Sequence, residues 1–92
     1  MNNRLAVTAF MALSYDTRLR TVQLLIEAGD DGLPAGEIAR RLKVPQNTLS
    51  THLSALGNAD LIRSERQGRS IIYRANSGQI EKVAQFLAAM TG

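Results

Sequence analysis

Glu37–Leu56, EIARRLKVPQNTLSTHLSAL, is the stretch that decides the fold. Ile38, Ala39 and Leu42 share one side of a helix predicted over 35–42, while Arg40, Arg41 and Lys43 point outward. Pro34 suits the first turn of that helix, where a missing N–H costs nothing. Val44-Pro45 ends it, because the residue before a proline is pushed out of the α region. A second helix follows from Gln46 to about Asn58, with Leu49, Leu53 and Leu56 as its buried edge. Asn47, Ser50, Thr51, Ser54 and Asn58 recur at i, i+3, i+4 and i+7 on the opposite face. Gly57 weakens this helix by roughly 1 kcal/mol relative to alanine.

The exposed face of the second helix carries the chemistry. A solvated helix face usually holds Glu and Lys pairs; this one holds Ser, Thr and Asn, which are weaker helix formers. Small hydroxyl and amide side chains approach base edges and both donate and accept hydrogen bonds, and Asn or Gln pairs with adenine through two of them. Gln46, Asn47, Thr48, Ser50, Thr51, His52 and Ser54 are therefore the candidate DNA-contacting residues of this helix. Its N-terminal amides also favour a nearby phosphate.

Beyond Asn58 the apolar period changes from helical to alternating. Leu61–Gln67 and Ser70–Ala75 read as two strands around Gly68, with Ile71, Tyr73 and Ala75 on one face. The hairpin carries Arg63, Arg66 and Arg69. Arg66 and Arg69 are its candidate contacts, Arg69 just past the tip and placed for a phosphate or the minor groove. Two short helices, a tight turn and a basic hairpin make up a winged helix-turn-helix unit. The expected class is mostly α with a small β-hairpin: about five helices plus a two-stranded wing.

The flanks are helical. Residues 3–13 are apolar nearly all round, with Leu5, Ala9, Phe10 and Leu13 at helical spacing, a pattern that calls for burial on two sides. A second helix reaches about Ala28, with Tyr15, Leu19, Val22 and Ile26 as its stripe, Asp16 as N-cap and Gly29 as C-terminal stop. Asp30-Asp31-Gly32 is a loop. A last helix over 77–90 carries Ile80, Val83, Ala84 and Leu87. With 92 residues and no linker, the expectation is one domain over 1–92: helix-turn-helix at about 35–58, wing at about 61–75, and outer helices at about 3–13 and 77–90.

Composition narrows the function. The chain has no cysteine and a single histidine, His52, so no disulfide framework, zinc knuckle or thiol nucleophile is available, and an enzyme is not expected. One imidazole without neighbouring ligands is a poor metal site, so His52 is read as structural or phosphate-contacting; no metal and no cofactor are expected. The net charge is +3, and it is unevenly spread: residues 34–75 carry the excess of arginine and lysine while 1–33 are slightly acidic. A basic middle section is expected of a surface that meets a polyanion. No stretch is long and apolar enough for a membrane span, and the start lacks a charged n-region with a cleavage site. The expected location is cytoplasmic, without membrane contact.

Three segments resemble one family. ALSYDTRLRTVQLL, Ala12–Leu25, is similar to the ALADPTRLRILRLL opening of the ArsR family of bacterial transcriptional repressors, differing at Tyr15 and lacking a proline after Asp16. Glu37–Leu56 resembles that family's helix-turn-helix, and IRSERQGRSIIYRA, Ile62–Ala75, its wing. The resemblance implies a homodimer closed by the first and last helices and a repressor that binds a double-stranded DNA operator. It also implies a left-handed backbone at Asp60, where the family often has glycine. The branch is one without the usual metal-binding cysteines: their positions before Glu37-Ile38 hold Pro34 and Gly36, and the last helix offers only Glu81. No inducer is legible. The alternative is a winged-helix module for protein–protein contact without DNA binding, which would need an apolar or acidic exposed face on the second helix of the pair.

Overall fold

The computed structural model describes residues 1–92. In chain order the elements are α1 (Asn3–Leu13), α2 (Asp16–Ala28), a single 3-10 turn (Gly29–Asp31), β1 (Leu33–Pro34), α3 (Ala35–Leu42), α4 (Gln46–Asn58), β2 (Ile62–Gln67), β3 (Ser70–Ala75) and α5 (Ser77–Thr91). The sheet has three antiparallel strands in the order β1-β3-β2. The hairpin expected of the wing is therefore joined by a two-residue strand, Leu33 opposite Tyr73 and Pro34 opposite Ile72. Two residues ending in proline carry no alternation to read; Pro34, read as suiting the first turn of α3, stands just before that helix with extended backbone, and the helix keeps its expected span of 35–42.

Leu25, Ile38, Leu49, Leu56 and Leu61 form the fully buried centre of one core, which α1, α2, α3, α4 and the sheet all enter. The edges expected for α3 and α4 are the buried ones. Those of the outer helices differ. In α1 the buried residues are Ala6, Ala9 and Ala12, while Leu5 is exposed. Small side chains let this helix approach its neighbours closely and turn its larger residues outward. In α2 the buried set is Thr21, Val22 and Leu25, and Tyr15, Leu19 and Ile26 lie outside. Thr21 is tolerated inside because its hydroxyl donates to the Thr17 carbonyl at 2.7 Å. Asp16 is the first residue of α2 and makes no capping hydrogen bond. Of the stripe expected on α5, Val83 is buried and Ile80 half-buried, whereas Ala84 and Leu87 are exposed.

Both helices of the central pair end in the same device. After α3, Lys43 adopts φ 59°, and the amides of Lys43 and Val44 bond back to the carbonyls of Arg40 and Ala39. After α4, Asp60 adopts φ 63°, and the amides of Asp60 and Leu61 bond back to Gly57 and Leu56. These are Schellman terminations, each using a non-glycine residue in the left-handed position. Lys43 thus stops α3 before the Val44-Pro45 dipeptide acts. Leu61, expected to open the first strand, belongs to the second termination and seals it by full burial beside Leu56. Asn76 then ties the end of the wing to that corner. Its amide donates to the Leu61 carbonyl at 2.9 Å and its side chain to the Asp60 carbonyl at 2.8 Å, while its Oδ1 caps α5.

Candidate nucleic-acid interface

The turn of the wing is set by two residues, Gly68-Arg69, between the paired Gln67 and Ser70. Gly68 has φ 62° and Arg69 does not, the pattern of a type II′ hairpin turn, which asks for glycine at its first central position. The strand pleat then sorts the side chains. Ser64, Tyr73, Arg66 and Ile71 share the face turned towards α4, and Arg63, Glu65 and Arg74 the other.

Between α4 and the wing runs an open groove. One part, about 460 Å³, is lined by Gln46, Ser50, Arg69, Ser70 and Tyr73 among others. The next, about 400 Å³, is lined by Ser50, Ser54, Asn58, Ser64 and Tyr73. Thus Gln46, Ser50, Ser54 and Arg69, four of the candidate residues, border one channel of mixed lining, whose apolar part includes Leu53, Ile62 and Ile71. Asn47, Thr48 and Thr51 are exposed on α4 outside the channel. Asn47 accepts from the Thr48 amide at 3.0 Å through its side chain, and its carbonyl takes the Ser50 hydroxyl at 2.8 Å. Ser50 therefore has its proton engaged and its oxygen lone pairs free for a donor.

His52 stands apart from the channel. It is half-buried against α2, where Arg18 Nε donates to its Nδ1 at 3.0 Å and the Tyr15 ring lies 6.0 Å away, tilted by 53°. Neither Arg18 nor Tyr15 is identifiable from sequence as part of a site, because the contact joins residues 34 apart. Asn58, Ser64 and Tyr73 were also outside the candidate set; the polar spacing of α4 and the strand alternation carried the signal for the first two.

Ion pairing divides the basic section. Glu37 binds both Arg40 and Arg41, the latter at 2.8 Å, and its carboxyl is held down to about 2 by the Arg40 guanidinium first and Arg41 second. Arg74 bonds Glu65 at 2.7 Å and the Asp30 carbonyl at 2.7 Å, and lowers the Glu65 pKa. Lys43, Arg63, Arg66 and Arg69 form no ion pair. Glu37 thus offsets one of the two arginine charges of α3, and on the channel side the wing adds Arg66 and Arg69 without ion pairs.

The helix-turn-helix domain family matches residues 13–65. The chain is 35% identical over 77 residues to the transcriptional repressor SdpR of Bacillus subtilis, spanning 84% of this chain and 77% of that protein. It is 27% identical over 86 residues to the transcriptional activator HlyU of Vibrio cholerae, spanning 94% and 77%. Among solved structures, an ArsR-like transcriptional regulator from Rhodococcus sp. RHA1 superposes with a TM-score of 0.83 at 32% identity, covering 96% of this chain and 80% of that one.

Proposed function

The chain belongs to the ArsR-type family of winged helix-turn-helix transcriptional regulators, and from that premise we propose that it acts as a cytoplasmic homodimer that represses transcription by occupying a double-stranded operator. The observation that carries this reading is the pairing of an uncharged, hydrogen-bonding α4 surface with unpaired wing arginines across one channel. Gln46, Asn47, Thr48, Ser50, Thr51 and Ser54 suit base edges in the major groove, and Arg66 and Arg69 suit the adjoining backbone. The SdpR relative is a repressor, and the proposed sign of regulation follows it.

Dimerisation is supported by the outer helices. Val7 on α1 and Leu87 and Met90 on α5 are exposed, Met90 by 71%, and Phe10 meets Phe86 with ring centroids 6.4 Å apart where the two helices touch. A contiguous apolar surface of this kind marks an interaction site, and a two-fold axis through it would present two copies of α4 on one side.

The test is titration of a labelled duplex from upstream of the protein's own gene, against a scrambled duplex, over a salt series. Tighter binding to the first duplex, weakening steeply with salt, is expected. Equal, salt-insensitive binding to both would overturn the reading. Transcription from that promoter in vitro should fall as protein is added; a rise would reverse the sign of regulation.

A further inference from the structure

On an α-helix, residues two apart lie about 200° round the axis from each other. His52 is two residues from both Ser50 and Ser54, so it occupies the flank of α4 opposite the wing channel. Ala55, on the same flank, shares a shallow depression with Met11, Tyr15 and Arg18. Here Arg18 is held twice: its guanidinium lies 3.9 Å from the centroid of the Tyr15 ring, and its Nε donates to His52 Nδ1 at 3.0 Å.

The hydrogen bond fixes the imidazole. With Nδ1 accepting, the ring proton sits on Nε2. His52 Nε2 and the two terminal nitrogens of Arg18 have no protein partner, yet no buried polar side-chain atom lacks one, so all three reach solvent. The outward surface of the pair consists of N–H donors alone and carries a positive charge. Its complement is an acceptor-only anion of two or more oxygens, which is what a phosphate offers a guanidinium.

We propose that Arg18 and His52 form one phosphate-binding unit for the DNA backbone, with Tyr15 as its platform, on the side of α4 away from the wing. The proposal rests on α4 being the DNA-reading helix. It gives the interface a second anchor: the wing arginines hold the backbone on one side of the reading helix and the Arg18–His52 pair on the other, so the register of α4 in the groove is fixed from both sides.

Arg18→Met keeps an unbranched apolar stem and removes every donor of the guanidinium. It is expected to weaken binding about ten- to a hundredfold to specific and scrambled duplexes alike and to make the salt dependence shallower by about one. Arg18→Lys, which keeps the charge, should restore the slope. Because the chain has one histidine, imidazole nitrogen NMR reports on this pair without ambiguity. Free wild type should show the Nε2–H tautomer, Arg18→Met should shift the Nδ1 resonance that accepts from Arg18, and duplex should move the Nε2 resonance. An unchanged salt slope in Arg18→Met, failure of lysine to restore it, or nitrogen signals indifferent to Arg18→Met would each overturn the proposal. Asn47→Ala and Arg69→Ala separate it from the reading it rests on. If they weaken binding while Arg18→Met does not, only the phosphate unit falls; if none of the three does, the DNA-reading role of α4 falls with it.

Discussion

Asp60 holds a backbone conformation that costs an ordinary L residue roughly 1–2 kcal/mol and glycine nothing. Its side chain forms no hydrogen bond or ion pair. Asp60→Gly should therefore raise stability by about 1 kcal/mol, read from urea unfolding at unchanged slope. Gly32 is the opposite case. Its φ is 62°, and a Cβ there would stand 2.6 Å from the Tyr73 carbonyl and 2.7 Å from Ile72 Cγ2. Gly32→Ala should cost about 1–3 kcal/mol, since β1 would have to leave β3. At the interface, Asn47→Ala should cost about 1–3 kcal/mol of specific binding and blur the preference at particular base pairs. Arg69→Ala should weaken all sequences together and make the salt dependence shallower by about one. Identical behaviour of the two variants would mean that reading helix and wing are wrongly assigned.

Elements built on a regular period were legible, and those built on exceptions were not. The buried edges of α3 and α4 follow from spacing alone. The inner faces of α1 and α2 do not, because alanine and threonine supply them and the larger side chains point outward; a reading that weights size selects the wrong stripe. The polar face of α4 is legible in its residue types and their spacing, whereas the Arg18–His52 contact depends on how α2 packs across α4, which local pattern does not encode. Glu37 makes the α3 charges testable. Its carboxyl titrates at about 2 instead of the usual 4.5 because two arginines surround it. The folded pKa is the lower one, so its contribution is complete above about 4.5 and disappears as pH falls through about 2. Glu37→Gln should lower the thermal midpoint at neutral pH and flatten its fall across that acid window. An unchanged midpoint at neutral pH would show that solvent screens these pairs fully.

At the scale of the molecule, only 19 of 92 residues are buried, and α5 contributes a single buried side chain, Val83. Beyond Val83, Ile80 and the contact of Phe86 with Phe10, this 15-residue helix leaves its apolar side chains, Leu87 and Met90 among them, uncovered by its own chain. Val7→Asp or Leu87→Asp, both at exposed positions, should therefore leave the monomer fold intact by circular dichroism and halve the mass seen by light scattering; a wild-type chain already at monomer mass would contradict the assembly. Pairing through α1 and α5 has a direct consequence for DNA. The most direct measurement is selection from a randomised duplex library by the purified protein. The enriched site should be an inverted repeat whose half-site centres lie a whole number of helical turns apart, about 10–10.5 base pairs each, and Asn47→Ala should lose preference within each half-site. No enrichment, or enriched sites without two-fold symmetry, would contradict a dimer that reads DNA through α4.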